Sequence, residues 1–396
     1  MSERKHIIDF WRGLALVMIF INHVPDNYLE NLTSRNFGFS DGAEAFVFLA
    51  GLSLALVYLP HRGGQPVIVS PLALLARCWK RAFTLYRTHL MLTFSVLGAF
   101  ALAYAVLAIP EFRDAHGRAL IYDDPARAFT GILLLLHQLD YVDILPLYVV
   151  LLLFAPVQLI LMQRNVALGL CVSVAIYAAA RLLPIDMPTW PMDNLWFFNP
   201  FAWQLMLGLG MAAGILYRNG GVPHSRVALA SALTMLIISA VMATETFGQS
   251  PGLMIGAREI LDSGKHELGL MRISHFLALA YVLSVLPLGA SWVVTKTGQE
   301  LCRLGRHSLA VFVVGTFVAQ MCQLTMVASA VNFDVDPQPV GLVTTLIGLV
   351  VLFSQARYLE WKKSNPEYRI GRLVRSHLPF AGWQLFSSLS RPQSRL

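Results

Sequence analysis

Ten apolar runs, each about 17 residues or longer, recur along this sequence, and they limit its fold more than any other feature. A run of that length crosses the hydrocarbon core of a bilayer as a helix. Of the 396 residues, 56% are hydrophobic and only 13% are charged, which excludes an ordinary soluble domain. The sequence therefore predicts an all-α polytopic integral membrane protein. The runs lie near residues 7–24, 43–60, 83–108, 143–162, 166–183, 199–217, 226–244, 273–294, 307–330 and 339–357.

The distribution of charge predicts the orientation of these helices. With the N-terminus in the cytoplasm, most Lys and Arg residues fall in cytoplasmic segments, as the positive-inside rule requires. We therefore expect both termini in the cytoplasm, a membrane domain over residues 1–357 and a basic cytoplasmic tail over residues 358–396. The first run carries charges and lacks a small-residue cleavage site, so we expect it to remain as a helix.

The first run contains three ionisable residues, Asp9, Arg12 and His23. Ionisable groups inside a span are costly and indicate function. On a helix, Arg12 and His23 would differ by about 20° in rotation and about 16 Å along the axis, so they share one face. Asp9 lies on the same side as Arg12. The run therefore predicts a polar rail through the membrane. Alternatively, Arg12 and His23 only anchor the two ends of the helix at the interfaces.

Asp41 and Glu44 lie where the second run begins. Their spacing fits a capping box, in which both side chains only stabilise the start of a helix. Glu44 would also lie at a depth similar to that of His23, where a carboxylate can orient an imidazole and stabilise its charged form. The spacing leaves both interpretations open.

Cations cluster where the third run begins. Arg77, Lys80 and Arg81 lie close together on a helix at the predicted cytoplasmic surface. There they bind either a polyphosphate or lipid headgroups. Arg87 and His89 lie further into the span, so we expect both to be buried and functional.

Cysteine spacing and net charge give no sign of a metal or of nucleic acid. The formal net charge of +7 arises from Lys and Arg residues that lie mostly in the predicted cytoplasmic segments, so no nucleic-acid partner is expected. No metal site is expected, because the four cysteines lack the spacing of zinc ligands. They are Cys78, Cys171, Cys302 and Cys322.

Several motifs together resemble a known family. The spacing of Arg12 and His23, the stretch AEAFVFLAGL at 43–52 and the Arg-rich start of the third run resemble the type 3 membrane acyltransferase superfamily. One departure is Ala50, where that superfamily usually has Ser before the glycine. Within it, the chain is more specifically similar to the OpgC family. The closer similarity lies in DILPLY at 143–148, FNPFAWQ at 198–204, GKHELGLMRISHFLALAY at 264–281 and GRHSLAVF at 305–312.

The resemblance implies a multi-pass O-acyltransferase of the cell inner membrane. It would move an acyl group, succinyl in preference to acetyl, from cytoplasmic acyl-CoA to a hydroxyl of an osmoregulated periplasmic glucan. The expected partners are acyl-CoA, the glucan or another carbohydrate acceptor, and membrane lipids. Acyl-CoA is a substrate, so no tightly bound cofactor is expected.

The resemblance also implies roles for individual residues. His23 acts as a general base on a sugar hydroxyl, or it accepts the acyl group covalently. Arg12 helps to bind the donor, while Glu44 or Asp9 supports the imidazole or pairs with Arg12. The residues expected to bind the CoA headgroup are Arg77, Lys80, Arg81 and Arg87.

Three cations stand out on the acidic outer face: Lys265, His266 and Arg272. We expect them to bind the free carboxylate of a succinyl group or an anionic glucan. Alternatively, they only pair with the neighbouring acids Glu259, Asp262 and Glu267. Further residues match the motifs of the family and are expected to line the cavity: Asp143, Tyr148, Asn199, Trp203, Gln204, His275, His307 and Ser308. Of these, Trp203, Gln204 and His275 are expected to bind the substrate.

Two other functions are compatible with the same sequence. A transporter or flippase of a carbohydrate or lipid-linked intermediate would use the buried charges as a relay. The absence of an internal repeat in the sequence disfavours this class, whose halves often resemble each other. A structural subunit of a glucan-synthesis assembly would tolerate neutralisation of Arg12 and His23.

Overall fold

The computed structural model describes residues 2–62, 65–183, 185–243, 262–286 and 288–365. Helices dominate these residues. The first eight helices are α1 (Ser2–Asn22), α2 (Gly42–Tyr58), α3 (Pro71–Leu107), α4 (Pro110–Asp114), α5 (Ala119–Asp123), α6 (Pro125–Leu133), α7 (Ile144–Arg164) and α8 (Val166–Leu182). The others are α9 (Pro200–Arg218), α10 (Arg226–Ala243), α11 (Leu270–Val285), α12 (Leu288–Val293), α13 (Lys296–Arg306), α14 (Ser308–Phe333) and α15 (Pro337–Ser364). Strands β1 (His61–Arg62) and β2 (Gln65–Pro66) form a small antiparallel hairpin.

The predicted apolar runs fall on helices, which confirms the all-α class for the described residues. Within the described ranges, six helices, α3, α7, α9, α10, α14 and α15, are long and apolar enough to cross a membrane. Helices α2, α8 and α11 are apolar but shorter. Helix α1 differs because charged residues fill its first half and lower its hydropathy. The last described helix extends to Ser364, and residues 366–396 of the predicted tail lie outside the described residues.

The start of α2 is fixed by the capping box that the sequence suggested. The Asp41 carboxylate accepts a hydrogen bond from the Ala43 amide at 2.8 Å, and the Asp41 amide donates to Glu44 Oε2 at 2.7 Å. Two amides that have no partner within the helix are thereby satisfied. Both carboxylates are consequently held at the N-terminus of α2, where other charged side chains contact them.

The position of α1 depends on a close approach to α13. A Cβ atom added at Gly13 would lie 1.9 Å from the Leu301 carbonyl oxygen, and one added at Gly305 would lie 1.9 Å from the Asp9 carbonyl oxygen. Only glycine lets the two backbones meet at this distance. The contact brings the carbonyl of Gly305 next to the side chain of Arg12. Around this pair, α2 packs on α9, α3 on α7, and α14 on α15.

Candidate functional site

Two cavities adjoin α1. The larger has a volume of about 640 Å³ and is lined by His23, whereas the smaller has a volume of about 390 Å³ and is lined by Arg12. We call them the His23 cavity and the Arg12 cavity. The predicted rail along α1 therefore joins two separate spaces. Motif residues contribute to both, since Asp143 lines the first and Tyr148 and Ser308 line the second.

Arg12 is fixed by three hydrogen bonds. Its Nη1 donates to Asp9 Oδ1 at 3.0 Å and to the Gly305 carbonyl at 3.2 Å, and its Nη2 donates to Ser53 Oγ at 2.6 Å. The predicted pairing of Asp9 with Arg12 is confirmed. Ser53 was not predicted, although a lone serine within the apolar α2 is a signal that could have found it. These contacts hold the guanidinium in one orientation at the cavity wall.

The Arg12 cavity is lined mainly by apolar side chains, together with a smaller number of polar and charged ones. Its apolar wall includes Phe46 and Leu152, while Tyr58 and Arg81 supply polar groups. A cavity with both kinds of lining suits a ligand that has an apolar part and an anionic group.

The four cations predicted on α3 divide into two groups. Arg81 lines the Arg12 cavity, and Arg77 and Lys80 are exposed within a turn of it. The prediction that Arg87 is buried was wrong, because it is exposed and lines neither cavity. Helix α3 packs through Leu85, and Arg87 lies about 200° further round the helix, on the opposite face.

His89 lies on the packed face of α3, as predicted. Its side chain is buried, and neither ring nitrogen has a hydrogen-bond partner among the described residues. It lines neither cavity. The prediction that His89 is buried is therefore confirmed. Among the described residues, no contact indicates a function for it.

His23 follows the last turn of α1 and is positioned through its backbone. The His23 carbonyl accepts a hydrogen bond from Gln323 Nε2 at 2.6 Å. Its ring meets the edge of Tyr141, with 5.3 Å between centroids. Within the described residues, its Nδ1 atom is buried without a hydrogen-bond partner. His23 therefore lines the cavity with an Nδ1 atom that no described side chain engages.

Four charged side chains form a cluster beside His23: Asp41, Glu44, Lys265 and Arg272. Lys265 Nζ lies 2.6 Å from Asp41 Oδ2, and Arg272 donates to Glu44 Oε1 at 2.6 Å and to Asp41 Oδ2 at 3.2 Å. We call this group the Asp41 cluster. It contains two positive and two negative charges, and Glu44 is fully buried within it.

The cluster corrects two predicted pairings. Glu44 does not orient the His23 ring, because its oxygens are engaged by Arg272 and by the Asp41 amide. The alternative partners proposed for Lys265 and Arg272 were also wrong for the described residues. Asp262 instead forms two hydrogen bonds with Arg181, at 2.8 and 2.9 Å. Glu267 lies 4.0 Å from Arg181, and Glu259 is outside the described residues.

Trp203 and Gln204 do not line either cavity, contrary to prediction. The Trp203 indole donates to the Lys265 carbonyl at 3.0 Å, so it holds the loop that presents Lys265. Gln204 accepts a hydrogen bond from Gln158 at 2.6 Å and donates to the Ser173 carbonyl at 2.8 Å. Buried amides and indoles need such partners, and here a loop supplies the partner of Trp203 while neighbouring helices supply those of Gln204.

Three other histidines predicted at the site, His266, His275 and His307, line neither cavity. His275 Nδ1 lies 2.7 Å from Ser40 Oγ, which lines the His23 cavity, so His275 supports the wall from behind. His266 Nε2 lies 2.6 Å from an Asp186 oxygen and is engaged away from the cavity. Of the other motif residues, His307 pairs with Glu360 at 2.8 Å and Asn199 caps α9.

The loop before α7 adds polar groups that the sequence reading missed. Asp140 and Tyr141 line the His23 cavity, and Asp140 Oδ2 lies 2.8 Å from His116 Nδ1. This hydrogen bond lowers the pKa of Asp140, so the carboxylate stays ionised at neutral pH. No periodic pattern marks loop residues, which explains why they were missed. Acidic and aromatic groups facing a free imidazole can bind and activate a carbohydrate hydroxyl.

Comparison with known proteins gives one finding. The sequence model of a single family, described as OpgC protein, matches residues 4–364. No curated protein and no solved structure matches the chain. The match covers every residue that lines the two cavities.

Proposed function

Because the chain belongs to the OpgC family, we propose that this membrane protein is an acyl-CoA-dependent O-acyltransferase. It moves a succinyl group from cytoplasmic acyl-CoA to a hydroxyl of an osmoregulated periplasmic glucan. We further propose ten spans in the inner membrane, with both termini in the cytoplasm. One observation carries the proposal, namely that Arg12 on α1 lines one cavity and His23, directly after the last residue of α1, lines the next.

The donor binds from the side of the Arg12 cavity. Arg81, with Arg77 and Lys80 within a turn, attracts the phosphates of CoA at the proposed cytoplasmic surface. The pantetheine arm occupies the apolar part of the cavity, whose volume of about 390 Å³ lies within the usual range of small-molecule sites. Arg12 reaches the arm from α1 while Asp9 and Ser53 hold its guanidinium in place.

The acceptor binds in the His23 cavity. His23 takes the proton from a sugar hydroxyl, and the oxygen attacks the thioester carbonyl. A carbon–oxygen bond forms, the carbon–sulfur bond breaks, and the CoA thiolate leaves and takes up a proton. A covalent acyl-histidine formed first at His23 would give the same product. Lys265, which is partly exposed in the cavity beside Asp41, binds the free carboxylate of the succinyl group.

The test is transfer by the purified protein. Succinyl-CoA and a soluble glucan are incubated with the wild-type protein and with His23→Ala, and the glucan is examined by mass spectrometry. We expect a succinylated glucan with the wild type and none with His23→Ala. His224→Ala is the matched control, because His224 is exposed and lines neither cavity. A carrier would leave the glucan unmodified with every variant, and that result would reject the proposal.

A further inference from the structure

The boundary between the two cavities is aromatic. Phe312, on α14, is the one residue in the described part of the chain that lines both of them. Its ring stacks on that of Phe46 from α2, with 5.7 Å between centroids and 21° between planes. Phe46 in turn meets Tyr148 from α7 edge to face, at 5.4 Å. We call these three side chains the aromatic partition.

The partition is thin. Along α2, Ala43 lines the His23 cavity and Phe46 lines the Arg12 cavity, a separation of about 4.5 Å along the helix axis. Along α7, Ile144 lines the first cavity and the adjacent Leu145 lines the second. About one layer of side chains therefore separates the two spaces.

One unsatisfied polar group belongs to this layer, and a second belongs to a residue that lines the His23 cavity. Among the described residues, the Tyr148 hydroxyl and the His23 Nδ1 atom are both buried without hydrogen-bond partners. A buried polar group without a partner destabilises the arrangement that contains it. Both groups would gain partners once a polar ligand reached them. In the arrangement that the structure shows, these two groups lack partners and the aromatic layer stands between the two cavities.

We propose that Phe46, Tyr148 and Phe312 separate the two cavities and yield only to the acyl group of the donor, keeping water away from the thioester. This inference rests on the proposed function. Water that reached the thioester would form a carbon–oxygen bond as the carbon–sulfur bond broke, giving a free carboxylic acid and the CoA thiol. By excluding water, the partition leaves the acceptor hydroxyl as the nucleophile. The three aromatic residues are positioning residues in this scheme.

The first test compares transfer with hydrolysis. In Phe312→Ala we expect succinyl-CoA hydrolysis without acceptor to rise about tenfold, while transfer to glucan falls. Phe312→Tyr retains a ring and should restore the wild-type ratio of transfer to hydrolysis. Phe154→Ala is the matched control, because Phe154 is an exposed aromatic residue on α7 that lines neither cavity. An unchanged ratio in a folded Phe312→Ala protein would overturn the inference.

The second test needs no acyl transfer. The four cysteines are replaced by alanine, Ala50→Cys is introduced in the Arg12 cavity, and an impermeant thiol reagent is added on the side of the His23 cavity. We expect no labelling when Phe312 is intact and labelling when Phe312→Ala is present. Labelling with Phe312 intact would overturn the partition. Phe46→Ala serves as the second variant if Phe312→Ala does not fold.

The two tests separate the inference from the proposed function. If labelling follows the expected pattern but no variant transfers an acyl group, the partition stands and the acyltransferase proposal fails. If transfer occurs and labelling is independent of Phe312, the acyltransferase stands and the partition fails.

Discussion

A hydrogen bond to its backbone holds His23 in place, while no described residue forms a hydrogen bond with its Nδ1 atom. Gln323 donates to the His23 carbonyl, and the buried Nδ1 atom has no hydrogen-bond partner in the part of the chain that is described. Histidines with structural roles usually have their ring nitrogens satisfied, as His275 does through Ser40. His89 also has unpartnered ring nitrogens among the described residues, but it lines neither cavity. We assign the chemistry to His23 because it combines an unpartnered Nδ1 atom with a place in the cavity wall.

Arg12 should not tolerate replacement by lysine. Its fork reaches Asp9, Ser53 and the Gly305 carbonyl at once, whereas a lysine ammonium cannot reproduce that geometry. We expect Arg12→Lys to raise the KM for acyl-CoA about tenfold, the effect of losing one charge-assisted hydrogen bond. Steady-state kinetics measure this change, and an unaltered KM would remove Arg12 from the donor site.

Lys265 should distinguish succinyl from acetyl donors. Its ammonium uses one contact with Asp41 and is partly exposed to the cavity, so it can bind a second carboxylate. We expect Lys265→Ala to raise the KM for succinyl-CoA about tenfold and to leave that for acetyl-CoA unchanged. Lys265→Arg keeps the charge and is the control. Equal effects on both donors would disprove the carboxylate contact.

At the scale of the elements, the packing of α1 on α13 depends on close backbone contact. A side chain at Gly13 would collide with the Leu301 carbonyl, whereas one at Gly98 on α3 has nothing within 4 Å. We expect Gly13→Ala to lower the free energy of unfolding by about 1–3 kcal/mol through overpacking. Gly98→Ala should raise it by about 0.5–1 kcal/mol, because alanine favours the helix. Thermal denaturation in detergent compares them, and equal stability of both variants would contradict the contact.

Helix α3 illustrates what hydropathy can and cannot predict. The apolar run predicted the helix, because the need to satisfy backbone groups in lipid leaves few alternatives. It did not predict the rotation of the helix about its own axis, so Arg87 was expected to be buried and is exposed. Rotation depends on which neighbour packs where, and one apolar sequence carries little of that information.

The candidate site shows the same limit: contacts within one helix could be predicted from the sequence, whereas contacts between distant residues could not. The pairing of Asp9 with Arg12 and the capping box of Asp41 follow from spacing within one helix, and both were predictable. The contact of Glu44 with Arg272 joins residues 228 positions apart, and no local pattern encodes it. Trp203 was placed at the site through its motif, but its indole holds the loop that carries Lys265.

At the scale of the whole molecule, the charged groups beside the two cavities differ in a way that fits the proposed direction of transfer. Cations of α3 adjoin the Arg12 cavity, and the ion pairs of the Asp41 cluster adjoin the His23 cavity. Helix α1 connects the two spaces, and the aromatic partition separates them. The arrangement suits a donor and an acceptor that meet without sharing a compartment.

Transfer at His23 is tested most directly by mass spectrometry of periplasmic glucans. Cells lacking the gene are compared with cells that carry the wild type, His23→Ala or His224→Ala, with equal amounts of folded protein in the membrane. Our account predicts succinylated glucans with the wild type and with His224→Ala, and unmodified glucans with His23→Ala. Succinylated glucans in the His23→Ala cells would contradict it.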